Sequence, residues 1–207
     1  NNRGDYYDMT STAVHMPYKN MQTLWYHYKS DMLPLGVSLI AINLGREVGA
    51  PSHGRTYYMQ TMGTDITFRP MQWNLHAAAY YQMGKNGSAR DVSAWMASAK
   101  VEDKVTPAYS VNVGYDFLSG NNGSTTTTAF DPLYGTHHKF YGAMDYFTGA
   151  LSYGLHDIQA GVAANFCDKF NARLDYHYFL TAQPAVGIGG DFSRRLGHEA
   201  DFQFTYK

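Results

Sequence analysis

The chain has 207 residues, with 16 Lys and Arg against 17 Asp and Glu and a net charge of -1. Charged residues are 16% and aromatics 15%, including 18 Tyr and 11 Phe, whereas soluble domains average about 25% charged residues. Few charges with many aromatics exclude a disordered chain, and the balanced charge excludes a general nucleic-acid binder with a basic face.

Period-2 alternation dominates the chain from its first predicted elements onward. Residues 21–29 are aromatic-rich through Trp25, Tyr26 and Tyr28. Residues 35–44 are apolar on both faces, which fits a buried strand or a short helix. Residues 55–68 form the next expected strand. In 73–83, Trp73, Leu75, Ala77, Ala79, Tyr81 and Met83 alternate with Asn74, His76, Ala78, Tyr80 and Gln82. Residues 91–100 follow. In 109–117, Tyr109, Val111, Val113, Tyr115 and Phe117 oppose Ser110, Asn112, Gly114 and Asp116. A strand is expected over 139–147. In 158–166, Ile158, Ala160, Val162, Ala164 and Phe166 oppose Gln159, Gly161, Ala163 and Asn165. In 170–182, Leu174, Tyr176 and Tyr178 oppose Arg173, Asp175 and His177, and in 200–206 Phe202 and Phe204 oppose Asp201, Gln203 and Thr205. Such alternation marks strands with one apolar and one polar face, about ten of them in all.

The longer loops are expected at 119–138, which holds Thr125 to Thr128 in succession, and at 183–197. Cys167 is the only cysteine, so no intrachain disulfide forms. The first ten residues carry Asp5 and Asp8 and no apolar core, so no signal peptide is visible; the chain is expected to be either cytoplasmic or already processed, and its start without Met favours processed or truncated. The longest apolar stretch, 32–42, is interrupted by Pro34, Gly36 and Ser38; a membrane helix needs about 20 apolar residues. The chain therefore reads as one all-β unit over 1–207. A transmembrane antiparallel β-barrel fits the strand lengths and the aromatics at strand ends. A soluble β-barrel or sandwich binding a small ligand is the alternative.

The run FDPLYGTHHKFYG at 130–142, followed by Met144, Asp145, Tyr146 and Phe147, resembles the alginate export family of Gram-negative outer membrane proteins, in its Bacteroidetes form. VGYDFLSG at 113–120, DIQAGV at 157–162 and LDYHYF at 174–179 are similar to it as well, and looser similarity covers about residues 21–207. The resemblance implies an outer membrane porin-like channel of about 18 strands. It implies passive diffusion of a hydrophilic solute, an anionic saccharide or polysaccharide in the family's best-known members. About 18 strands of about 10 residues each would fill nearly this whole length, so the chain is expected to be part of a larger barrel, incomplete at both ends. No cofactor and no catalysis are implied. The expected partners are membrane lipid or lipopolysaccharide and the solute in the lumen, with no nucleic acid. A monomer is expected, with association with other envelope proteins left open.

The polar faces nominate lumen-lining residues: Arg173, Asp175, His177, His76, Asp116, Asp145, Gln159, Glu199 and Asp201. Rings of charged side chains set pore selectivity, but a solvated sheet face would carry the same residues. Acids outnumber bases among them, and the sign of selectivity stays open. Arg46, Arg55, Arg69, Arg194 and Arg195 lie near strand ends or in loops and are candidates for a basic pore mouth. His137 and His138, with His156, raise the question of a metal site, yet adjacent strand residues point to opposite faces. His177 between Tyr176 and Tyr178 raises that of a general base, without a G-x-S-x-G elbow to accompany it. No metal site is expected.

Overall fold

The computed structural model describes residues 18–48, 54–133, 140–147, 151–167, 169–186 and 192–206. Nine strands carry these residues: β1 Asn20–Lys29, β2 Leu35–Val48, β3 Arg55–Phe68, β4 Trp73–Lys85, β5 Asp91–Asp103, β6 Tyr109–Leu118, β7 Leu155–Cys167, β8 Phe170–Val186 and β9 Phe192–Tyr206. They form one antiparallel sheet in chain order. Among the described residues β1 and β9 do not pair with each other, so the sheet is open. With nine alternating strands, β1 and β9 run in the same direction.

Nine of the ten expected strands are present, and the tenth is a correction. Residues 140–147 form turns, with Tyr141 and Asp145 at φ of 62° and 57°. That left-handed conformation cannot continue a strand. The expected loop at 183–197 is also shorter, because β8 runs to Val186 and β9 begins at Phe192. Residues 35–44, apolar on both faces, are strand.

Removing the tenth strand sorts the connections. Residues 30–34, 69–72, 104–108 and 168–169 join strands at one end of the sheet. The segments 49–54, 86–90, 119–154 and 187–191 join them at the other, called here the long-loop end.

The period of two commits each strand to the same two faces. Leu24, Leu39, Met62, Ile66, Trp95, Val113, Ile158, Val162, Leu174, Phe202 and Phe204 are all exposed on one face. The opposite face carries the polar residues, and at the long-loop end it also carries the core. Leu44, Met59, Val92, Ala94, Met96, Leu118, Leu155 and Phe179 come to that core from the strands. Phe130 and Tyr141 come from the connection between β6 and β7, whose described residues 119–133 and 140–147 bring them over the polar face. The core therefore lies on the side opposite the broad apolar surface.

Two glycines let the connection leave and rejoin the sheet. A Cβ on Gly120 would stand 2.2 Å from the Tyr153 carbonyl carbon, and one on Gly154 2.3 Å from the Leu118 oxygen. Gly154 also sits at φ 66°, which glycine adopts without a steric cost. Gly120→Ala is accordingly expected to destabilise the fold by about 1–3 kcal/mol. Urea unfolding followed by tryptophan fluorescence would register this as a lower midpoint, and an unchanged midpoint would refute the close approach.

Candidate functional site: the polar face and its folded-in connection

Strand register assembles the polar face in rows. One row runs Ser38, Asp65, Ala78, Ser98, Asp116, Asp157 and Phe179 across β2 to β8. The next runs Thr67, His76, Lys100, Gly114, Gln159, His177 and Glu199 across β3 to β9. Asn112, Gly161, Asp175 and Asp201 belong to a third.

The centre of the face is a buried charge network. Asp116 and Asp157 are adjacent and each is 0% exposed. Two buried carboxylates this close repel unless donors and cations compensate them. Lys100 Nζ lies 3.1 Å from Asp116 Oδ2, and Ser98 donates its hydroxyl to the same carboxylate. Gln159 Nε2 bridges the pair, 2.6 Å from Asp116 Oδ2 and 2.7 Å from Asp157 Oδ2. His177 Nδ1 is 2.9 Å from Asp157 Oδ1, while its Nε2 is 3.8 Å from Asp201 Oδ2.

Backbone donors from the connection complete the network. The Met144 N–H donates to Glu199 Oε1 at 2.9 Å, and Ala143 contributes a second backbone bond to that carboxylate. Gly142 makes room for it, since a Cβ there would stand 2.3 Å from Glu199 Oε2. Tyr141 is buried beside Asp116 and Asp157. Burial first, then the field of these two acids, pushes its hydroxyl pKa well above the ordinary tyrosine value.

A second anchor lies farther along the connection. Gln82 donates to the Asp131 carbonyl at 2.7 Å, and the Asp131 N–H donates back to Gln82 Oε1 at 2.9 Å. Arg46 adds an ion pair to the Asp131 side chain at 3.4 Å. Gln82 is buried, so the amide matches a backbone segment that has no strand partner there.

Towards the short-turn end the polar face reaches solvent. There the charges pair locally, His76 with Asp65 at 2.6 Å and Arg173 with Asp175 through two hydrogen bonds. Asn112 donates to Asp175 at 3.3 Å.

The expected lining residues therefore divide. Arg173, Asp175, His76 and Asp201 keep solvent contact. Asp116, His177 and Glu199 are buried under the connection, and Gln159 bridges the acids beside them. Asp145 belongs to the 140–147 turns and not to a strand face, a correction that follows from the missing tenth strand. The five arginines do not share one mouth. Arg46, Arg55, Arg194 and Arg195 are at the long-loop end, but Arg69 sits in the 69–72 turn at the other end, donating to Asn74 at 3.2 Å. Tyr176 and Tyr178 flank His177 in sequence yet occupy the opposite face.

Sequence reading missed Asp157, Ser98 and Lys100. Parity carried the signal for Asp157, which lies two positions before Gln159. Among the described residues no group of three or more His, Cys, Asp or Glu is placed to hold a metal ion. His137 and His138 lie outside the described residues. His156 is on the apolar face, its Nδ1 2.6 Å from the Tyr115 hydroxyl.

On that apolar face, aromatics recur in pairs along the strands: Trp73 and Tyr81 on β4, Tyr109 and Phe117 on β6, Phe170 and Tyr178 on β8. Each pair is eight positions apart, about 27 Å along a strand. Alanine, valine and leucine fill most of the interval.

No protein-family model matches the chain, and no curated protein matches it.

Replacing Gln82 tests whether the second anchor holds the connection down. Gln82→Leu strands two buried backbone groups of Asp131, at a cost of about 3 kcal/mol. Amide hydrogen exchange around residues 127–131 should accelerate well beyond that of β5; unchanged protection would show that the connection is held by other contacts.

Proposed function

We propose that this chain forms part of an outer membrane β-barrel that lets a hydrophilic solute diffuse through a water-filled lumen. The bare apolar face carries the reading. Soluble proteins rarely leave contiguous apolar patches larger than a few hundred Å² exposed, and here such residues stand exposed along the outward faces of the sheet. A soluble sandwich would place a second layer over that face, and none does so among the described residues. The interval between paired aromatics, tilted by about 40°, spans about 20 Å, close to the apolar band of such barrels.

The open edges fit the same reading. Membrane barrels leave no unpaired edge in hydrocarbon. Because β1 and β9 run in the same direction, antiparallel closure requires an odd number of further strands, which makes the total even. The resemblance to the alginate export family supplies the same architecture.

The connection over residues 119–154 narrows the lumen at the long-loop end. Glu199, Gln82 and Arg46 hold it in place, and solute meets the paired charges nearer the short-turn end. There Arg173 is neutralised by Asp175 and Asp65 is hydrogen-bonded to His76, so the exposed lining carries only a small acidic excess. A saccharide-class solute suits this lining better than one that depends on a strong charge filter.

In planar bilayers the full-length protein is expected to give stepwise single-channel conductance with a cation-to-anion permeability ratio near unity. Gln82→Leu should raise the conductance by loosening the folded-in connection. Absence of conductance steps would defeat the channel, and strong selectivity for either sign would defeat the paired-charge lining.

A further inference from the structure

We propose that the outward cluster of Arg195, His156 and His198 binds the phosphate of an anionic lipid headgroup. The inference rests on the membrane reading and adds a specific ligand to it. The cluster lies at the long-loop end of β7 to β9, next to the aromatics that end the apolar band. Arg195 Nε donates to the Tyr178 hydroxyl at 3.1 Å, and the Tyr178 ring stacks on His198 with centroids 4.8 Å apart. His198 Nδ1 is also bonded to the Tyr176 hydroxyl. His156 is held in the same way by Tyr115, and strand register places it in one cross-strand row with Leu180 and Arg195.

Three features point to a lipid phosphate. The tyrosines fix Nδ1 of each histidine and Nε of Arg195, which leaves Nε2 and the guanidinium amino groups for an oxyanion, and guanidinium suits phosphate geometry. Among the described residues no carboxylate shares the outward face of β6 to β9 at this end, because Asp116, Asp157, Glu199 and Asp201 all belong to the polar face. The cations also sit where apolar surface gives way to polar, the level at which amphipathic rings mark headgroups. At the opposite end the described basic residues Lys29, Arg69, Lys104 and Lys169 are spread one to a turn or strand end. The asymmetry suits a ligand confined to one leaflet.

The test uses the full-length protein with phosphatidylcholine vesicles, with and without lipid A as the phosphorylated probe. Flotation with both preparations establishes insertion, and lipid A affinity is then read from tryptophan fluorescence in detergent. Arg195→Gln should weaken lipid A binding about 5-fold, while Arg195→Lys should retain most of it. Dephosphorylated lipid A should bind no better than phosphatidylcholine, and inorganic phosphate should not compete at equal concentration. Equal affinity in the glutamine variant would overturn the site, as would competition by free phosphate. Should the protein float with neither preparation, the membrane reading itself falls and this inference with it. Insertion without lipid A preference overturns the inference alone.

Discussion

The alternation of side chains along each strand constrains everything else. Neighbouring residues must face opposite ways, and here the two ways demand opposite surroundings. Val111, Val113 and Tyr115 project to one side, while Asn112, Gly114 and Asp116 project to the other. Antiparallel register then extends that division from β1 to β9, with irregularities confined to the end of β7 and to the β8–β9 pairing beyond Phe179. A slip of one residue in any strand would move its apolar set onto the charged face, so the two-sided pattern also specifies the register.

The same constraint explains why the core is inverted. A sheet whose apolar side is bare has to find its internal packing on the polar side, and among the described residues the long connection supplies most of it. Phe130 and Tyr141 bring apolar surface to Leu118, Leu155 and Phe179. Doing so buries Asp116 and Asp157, which are tolerated because Gln159, Lys100, Ser98 and His177 satisfy them. Glu199 serves the reverse purpose, as a strand carboxylate that satisfies backbone N–H groups of the turns at 140–147. Packing and polar compensation are thus one device, and it separates buried anchoring charges from those that meet water.

Much of this was legible in the sequence. The faces of β4, β6, β7 and β8 follow from alternation alone, and so do the polar-face positions of Arg173, Asp175 and His76. The false strand at 139–147 arose because Phe140, Gly142 and Met144 mimic alternation over a short span, while positive φ at Tyr141 leaves no trace in residue type and Gly142 and Asp145 are compatible with either conformation. Burial of Asp116, His177 and Glu199 was illegible for another reason. It depends on a connection that returns from far along the chain, and local periodicity carries no information about what covers a face.

The central claim is that the outward face meets hydrocarbon and the inward face meets water. The most direct measurement is spin-label accessibility along β6 in reconstituted full-length protein with Cys167→Ser, using single substitutions from Ser110→Cys to Tyr115→Cys. The account predicts alternation, with oxygen collisions dominant at 111, 113 and 115 and a water-soluble nickel chelate dominant at 110 and 112. Equal access of the nickel chelate to both sets would contradict it.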